Sequence, residues 1–192
     1  MFEQINKHAA RYVTFNTEEL KIFNSIMTPK SVKKKTFLLR EGEVCNFGAY
    51  INKGCIRNYF IDENGFEVII QFAIEDWWVS DIASFYDRKP GNLFIETIED
   101  CELLTFTPQS MEELFMKAPR FERMFRLLVQ KNLSVMQRRL FKTIAQTGEE
   151  KYLDFIARYP TIPQRVPQHY IASYLGISPE FLSKIRARLV KR

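Results

Sequence analysis

The chemically most legible residues lie in the last quarter of the chain. Glu180 and Lys184 stand four apart, with Ser183 between them and Arg186, Arg188, Lys191 and Arg192 following. A glutamate can accept from cytosine N4, and a lysine can donate to guanine O6 and N7. Arginines and lysines beyond them would meet phosphates, which supply affinity without sequence information. Pro179, Glu180, Ser183 and Lys184 are therefore expected on a base-reading side. Arg186, Arg188 and Lys191 are expected on phosphates, together with Gln168 and His169 further upstream. A histidine in the place of His169 is more often an ordinary exposed polar residue.

The residues between these groups explain how they would be held. Pro167 suits the first turn of a helix. Ile171 and Leu175 are four apart and face inward, and Ala172 allows a second helix to approach closely. Gly176 can end the first helix in a left-handed conformation, with Ile177 plugging the turn. Ser178 then caps a second helix, and Pro179 takes its first position. Leu182, Ile185 and Leu189 hold that helix down. This is the pattern of a helix-turn-helix whose second helix enters the major groove. Any αα-hairpin with a glycine turn shares part of it, and the basic surroundings separate the two readings.

Charge supports the nucleic-acid reading. Lys and Arg outnumber Asp and Glu 11 to 4 in residues 138–192, whereas residues 1–137 carry 17 against 19. The positive end points to a polyanionic partner. Other chemistry is not indicated. Cys45, Cys55 and Cys101 are widely spaced with no CxxC pair, which reads as buried free thiols rather than a metal or redox site. Only His8 and His169 could add imidazole ligands, so no metal site and no cofactor are expected. We find no nucleophile–base pair, metal triad or phosphate-binding glycine loop, so the chain is not expected to be an enzyme. The acidic cluster of Glu75, Asp76 and Asp81 reads as a solvated loop. Neither a signal-peptide h-region nor a membrane-length apolar run is present, and a cytoplasmic location is the default expectation.

Upstream of the basic end, the period of the pattern changes twice. Residues 1–28 read as helical, with Thr17 as an N-cap and Pro29 as the stop. From Val32 to about Phe106 short strands alternate with turns. Strands are expected at Thr36–Leu39, Ala49–Ile51, Cys55–Ile61 and Phe66–Phe72, the last two joined through Asn64-Gly65. A second β pair is expected at Leu93–Ile98 and Cys101–Phe106, joined through Glu99-Asp100. Ser110 would cap a short helix from Met111 to Lys117, and Pro119 would open a long one. In that long helix Val129, Leu133, Met136 and Leu140 alternate by four and three, a heptad seam. Phe121, Met124, Phe125, Leu128 and Val135 form a second apolar face. One face can pack on its own domain and the other on a twin, the alternative being one helix packed wholly within a monomer. Gly148 is expected to end the helix, and Tyr152, Leu153, Ile156 and Ala157 to form the buried side of the next.

The fold class expected is therefore α+β: an N-terminal β-roll (double-stranded β-helix, jelly-roll-like) with flanking helices, a long dimerisation helix and a C-terminal helix-turn-helix. The corresponding divisions are 1–118, 119–147 and 148–192.

This order resembles the Crp/Fnr family, and the resemblance covers nearly the whole chain. It rests on Leu39-Arg40-Glu41-Gly42-Glu43, Ile51-Asn52-Lys53-Gly54-Cys55-Ile56-Arg57, Glu63-Asn64-Gly65 and Ile171-Ala172-Ser173-Tyr174-Leu175-Gly176-Ile177-Ser178. It looks like the divergent branch common in Bacteroidetes. The resemblance implies a homodimer on palindromic double-stranded DNA, with RNA polymerase as a partner and a small-molecule effector in the roll. It is in the effector cassette that this sequence departs. The family's Gly-Glu pair is replaced within Glu75-Asp76-Trp77-Trp78-Val79-Ser80-Asp81, and its phosphate-binding arginine position is held by Asn92-Leu93-Phe94, with Arg88 out of register. Cyclic AMP is therefore not expected to bind. Trp77, Trp78, Val79, Ser80, Asp81, Asn92 and Phe94 are the candidates for a different effector pocket, and the plain reading of the aromatics is roll core. The N-terminal cysteine cluster of the redox branch and the axial histidine of the haem branch are both missing. The family's β-hairpin wing would be absent, or replaced by Lys191-Arg192. The alternative function is a cyclic-nucleotide-binding-like regulatory module whose C-terminal helices meet a protein.

Overall fold

The structure is a computed structural model that describes residues 1–190, with the side chain of Val190 outside the description; Lys191 and Arg192 lie beyond it. Two helices open the chain, α1 (Glu3–Ala10) and α2 (Thr17–Ser25). The strands follow as β1 (Thr28–Val32), β2 (Phe37–Leu39), β3 (Gly48–Lys53), β4 (Ile56–Ile61), β5 (Glu67–Ala73) and β6 (Trp78–Val79). A short helix, α3 (Ile82–Asp87), precedes β7 (Phe94–Thr97) and β8 (Cys101–Phe106). The rest is helical: α4 (Pro108–Lys117), α5 (Arg120–Ala145), α6 (Gly148–Arg158), α7 (Ile162–Arg165), α8 (Gln168–Leu175) and α9 (Pro179–Val190). The α+β class read from the sequence is the class observed.

The strands form two four-stranded sheets, ordered β1-β8-β3-β6 and β2-β7-β4-β5. The second contains the expected hairpin of β4 and β5. Asp62 shapes its turn, accepting from the backbone N–H groups of Asn64 and Phe66 at 2.9 Å, and Gly65 sits at φ +82°. The expected pairing of the last two strands is not observed. β7 pairs with β2 and β8 with β1 and β3, so the Glu99-Asp100 turn carries the chain from one sheet to the other. A short turn between two β-rich runs signals a reversal, and it does not say whether the second run rejoins the same sheet.

Local chemistry moves several other boundaries. The N-terminal segment is two helices, and Asn16 rather than Thr17 caps the second: its side chain accepts from Glu19 N–H, and the Glu19 carboxylate accepts from Asn16 N–H. Pro29 lies within β1, the edge strand beside β8, where a missing N–H is tolerated. Thr107 rather than Ser110 caps α4, with Pro108 opening the helix and Ser110 completing a reciprocal pair. Gly148 does not end α5. It is the first residue of α6, which starts from a Thr147–Glu150 capping box, and a Cβ there would lie 2.6 Å from Phe181 Cε1. The buried side of α6 is Tyr152 and Phe155, while Leu153 and Ala157 are exposed. The Pro160–Pro167 linker contains one helical turn, α7.

The chain groups into two compact units. One comprises Met1–Asn58 with Phe72–Asn132, and the other Tyr59–Gln71 with the chain from Leu133 onward. The first unit is the roll with its helices. Its core runs through Tyr50, Ile51, Ile95, Leu103 and Leu104, all essentially inaccessible. Phe121 of α5 is sandwiched between Phe15 and Phe23, with centroids 4.0 and 4.4 Å away. Met124, Phe125 and Leu128 continue that buried face, as their spacing implies. Val129, Leu133, Met136 and Leu140 are 44, 56, 57 and 62% exposed, so the heptad seam is uncovered in a single copy. The Cys45, Cys55 and Cys101 thiols are buried and not joined in disulfides, and burial pushes Cys101 up to about 11.

Gly54 is the glycine of the roll whose missing Cβ would meet backbone. It sits at φ +110°, and a Cβ there would lie 2.8 Å from the Asp100 carbonyl and 3.0 Å from the Cys101 Cα. Gly42, at φ +82°, has nothing near its missing Cβ. Gly54→Ala is expected to cost about 3 kcal/mol of stability and Gly42→Ala about 1 kcal/mol. Urea denaturation of the two variants measures the difference, and equal costs would remove the steric argument.

Candidate functional site

In the C-terminal unit, α8 and α9 form the helix-turn-helix. Gly176 is left-handed at φ +67° and ψ +39°, and the Ile177 N–H closes the helix end by donating to the Ala172 carbonyl at 3.1 Å. Ser178 Oγ accepts from the Phe181 N–H at 3.1 Å, the cap that starts α9, and Pro179 follows as its first residue. Ile171, Ala172, Leu175, Leu182 and Ile185 are buried, while Ile177 is half-buried. Each of these positions does what its residue type implies.

The polar residues of α9 are exposed. Ser178, Pro179, Glu180, Ser183, Lys184, Arg186 and Arg188 all face solvent. The Glu180 carboxyl is held below its ordinary range by its own backbone N–H and the Ser178 hydroxyl, and Lys184 contributes one turn on. It is therefore a committed acceptor near neutral pH. Arg188 also reaches Glu149 of α6 at 3.4 Å, a contact the sequence pattern did not indicate. At the start of α8, His169 is exposed and tilted against Tyr170 with centroids 4.3 Å apart, and Gln168 is half-buried. Lys191 lies outside the described residues.

Two further residues hold α8 in place, and nothing in the sequence singled them out. Ser173 Oγ donates to the Glu67 carbonyl at 2.6 Å and accepts from the Ile69 N–H at 2.9 Å, so it pairs α8 with β5. Arg139 of α5 donates to the carbonyls of Ile69 (3.3 Å), Ile70 and Tyr174 (3.1 Å). Its guanidinium carbon lies 3.9 Å from the centroid of the Tyr174 ring. Their signal is conformational, since a serine inside a helix and an arginine on a long helix look like solvent residues until β5 is in place.

In the roll, the residues expected to line an effector pocket are used by the protein itself. Trp78 packs edge-on against Tyr50, Phe106 and Phe125. Its indole N–H donates to His8 Nε2 at 3.1 Å. Val79 is core, and Ser80 Oγ donates to the Phe47 carbonyl at 2.9 Å. Asp81 caps α3 through Ser84 N–H. Trp77 packs half-buried on the core, Phe94 lies edge-on to Phe37, and Asn92 is exposed. The acidic residues are likewise engaged rather than solvated. Glu75 accepts from Gly54 N–H at 2.7 Å. Asp76 takes hydrogen bonds from His8 (2.9 Å), Tyr50 (2.7 Å) and Arg11 while sitting at φ +70°.

Two arginines of the roll are also committed. Arg57 donates through Nε and Nη2 to Glu96 Oε2 at 2.9 and 2.6 Å, with side chains only 5 and 13% exposed. Arg88 caps α3 at φ +56° and donates to the Cys45 carbonyl and the Asn46 side chain. Among the described residues no group of three His, Cys, Asp or Glu could hold a metal ion, and no helix is long and apolar enough to cross a membrane.

Residues 29–118 match the cyclic nucleotide-binding domain family. The anaerobic regulatory proteins of Pasteurella multocida and Haemophilus influenzae are each 24% identical to this chain over 190 residues. Both alignments span 93% of this chain, and 69 and 73% of those proteins. Among solved structures, the c-di-GMP responsive global regulator CLP of Xanthomonas campestris superposes with a TM-score of 0.74 at 15% identity, covering 92% of each chain. The Thermus thermophilus catabolite activator protein gives a TM-score of 0.59 at 17% identity, covering 94% of this chain and 86% of its own.

The His8 contacts carry a pH dependence. Nε2 accepts from Trp78, so in the folded protein the ring proton sits on Nδ1 toward Asp76. Burial lowers the His8 pKa, and the Asp76 hydrogen bond only partly offsets it. The unfolded chain therefore takes up a proton that the folded one excludes as pH falls below the ordinary imidazole value of about 6.5. Stability is expected to be retained above that pH and lost progressively below it. His8→Gln should flatten the fall in melting temperature between about pH 7 and 5. Parallel curves for the two proteins would show that His8 does not contribute.

Proposed function

We propose that the chain is a regulator of the Crp/Fnr type that binds double-stranded DNA sequence-specifically as a homodimer; residues 29–118 match the cyclic nucleotide-binding domain family, and the fold is shared over 92% of its length with the c-di-GMP responsive global regulator CLP. Its relatives are transcriptional regulators, not enzymes. The observation that carries the DNA reading is α9 itself: a buried Leu182–Ile185 seat with Glu180, Ser183 and Lys184 exposed on the other side. That is the presentation direct base readout needs. Arg186 and Arg188 supply phosphate contacts on the same helix, and Gln168 and His169 supply them at the start of α8. The proposed division of the chain is a sensor roll over 1–118, a dimerising helix over 119–147 and a reader over 148–192.

The second copy is proposed to cover the exposed seam of Val129, Leu133, Met136 and Leu140. Paired readers would then sit on a palindromic operator, in the cytoplasm, with RNA polymerase as the protein partner. The roll is proposed to sense a small molecule other than cyclic AMP. Support comes from the commitment of Arg57 to Glu96 and of Arg88 to its own loop, which leaves neither described guanidinium aimed at a cyclic phosphate.

A gel-shift with mixed-sequence DNA at low salt tests the reading, since binding should be strong and fall as salt rises. No shift at any salt would favour a protein partner for α9. Within that assay Lys184→Ala is expected to cost about 1–3 kcal/mol on a selected operator and to relax preference at one base pair. Arg188→Ala should weaken all sequences alike and reduce the salt slope by about one. An unchanged operator preference in Lys184→Ala would remove its base-reading role.

The dimer is tested separately by sedimentation. Leu140→Glu places a charge in the seam and is expected to convert the protein to monomers that keep their melting transition. A sedimentation coefficient unchanged from the parent would exclude the seam as the interface.

A further inference from the structure

We propose that the C-terminal unit contains a binding site for a small phosphate-bearing anion, in the cleft between the second half of α5, α6 and α8. The cleft encloses about 560 Å³ including its open mouth. Arg138, Arg139, Lys142, Lys151 and Arg158 line it, against a single carboxylate, Asp154. That carboxylate is already satisfied by Lys142 and by the Gln146 amide N–H at 2.9 Å. Arg139 spends its donors on neutral backbone carbonyls, which leaves its charge uncompensated. Cations gathered in a partly desolvated cleft repel one another more strongly than in water, and an anion among them removes that repulsion.

A second observation specifies the anion further. Because the Gln146 amide nitrogen points at Asp154, its oxygen must point the other way, and Oε1 is buried with no hydrogen-bond partner. Gln146 lines the cleft and an unmet acceptor is costly, so a ligand that draws the Gln146 oxygen toward it brings an O–H or N–H donor along with its negative charge. Hydrogen phosphate has both, whereas sulfate at neutral pH has the charge without the proton. Tyr174 also lines the cleft. Burial pushes its phenol up to about 12, against the opposing charges of Arg139 and Arg158, so it stays neutral and hydrogen-bonded to Tyr159. The site therefore offers cationic donors for the phosphate oxygens and one acceptor for the phosphate proton.

The site goes beyond the regulator reading and does not depend on it. It lies against α8, so occupancy would bear directly on the reader rather than through the roll. A free phosphate or phosphomonoester keeps a P–O–H near neutral pH and meets both requirements, whereas a DNA backbone phosphodiester carries the charge without that proton and would engage the cations alone.

Isothermal titration of the full chain with inorganic phosphate, in a low-salt buffer free of other oxyanions, tests the proposal with sulfate as the paired probe. Saturable binding of one phosphate per chain is expected, about tenfold tighter than sulfate. Arg158→Gln and Lys151→Gln should each weaken it about tenfold, while Lys30→Gln in the roll should not change it. Gln146→Leu should abolish the preference for phosphate over sulfate and leave sulfate affinity intact. Absence of saturable binding, equal affinity for the two anions, or affinity unaltered in the Arg158 and Lys151 variants would each overturn the proposal. Added DNA that displaces the phosphate identifies a backbone phosphodiester on the same cations, and simultaneous binding of both identifies a free ligand. A gel-shift on the same samples keeps this result separate from the DNA reading: phosphate bound without DNA binding would remove the regulator function and leave the site.

Discussion

The C-terminal unit depends on one guanidinium. Arg139 joins β5 and α8 to the helix that bears it, through the carbonyls of Ile69, Ile70 and Tyr174, and it stacks on the Tyr174 ring of α8. Arginine suits this task because its planar fork presents several donors at fixed angles. A lysine could satisfy one carbonyl well and would lose the stacking surface. Ser173 adds a second tie by acting as both donor and acceptor to β5, so the strand meets α8 much as it would meet another strand. The placement of α8 fixes that of α9, because Gly176 and the Ser178 cap allow only a short turn between them.

The roll uses its polar residues in a comparable way. Asp76 takes three donors while holding a left-handed backbone, a strained conformation that persists where surrounding contacts over-determine it. Its carboxyl is held below the ordinary range, although burial opposes this, because hydrogen bonds from Arg11, Tyr50 and His8 outweigh the burial. The result is that α1 is anchored to the loop after β5 through His8 and Arg11. The Arg57–Glu96 pair shows the same economy in the other sheet. Two charges with little exposure neutralise each other, and removing either would strand the other in a medium where it is poorly solvated.

Much of this was readable in the amino-acid order, and the exceptions share a cause. The helix-turn-helix was legible because each of its positions answers to one local rule: a glycine for a positive φ, a serine for a cap, a proline for a first turn, and apolar residues three and four apart. The buried and open faces of α5 were legible for the same reason. What was not legible is long-range. Nothing local to Glu99-Asp100 says that β7 and β8 belong to different sheets. Nothing near Glu75 or Asp76 reveals the Gly54 N–H or the His8 ring that each carboxylate serves, whereas Asp81 caps the helix that starts at the next residue. Gly148 is a related case, since a glycine after a long helix reads as a stop until the Thr147–Glu150 cap shows that it begins the next one. Arg139 and Ser173 look like solvent residues in sequence because their partners come from β5, tens of residues upstream.

The second half of α5 carries two tasks on different faces of one helix. Val135 and Lys142 each follow a seam residue, Leu133 and Leu140, by two positions, which is about 200° around an α-helix. Those two lining residues are turned away from the side proposed to meet a second copy, whereas Arg139 and Thr143, three positions after Met136 and Leu140, lie on the flank between the two faces. An anion that draws Arg138, Lys142 and Arg158 together would act on the helix proposed to set the spacing of two readers. By linkage, any change it makes in affinity for an operator must be matched by an equal change in its own affinity when the operator is bound. Coupling of this kind needs no signal from the roll, because the cleft, the reader and the seam from Leu133 onward share one compact unit.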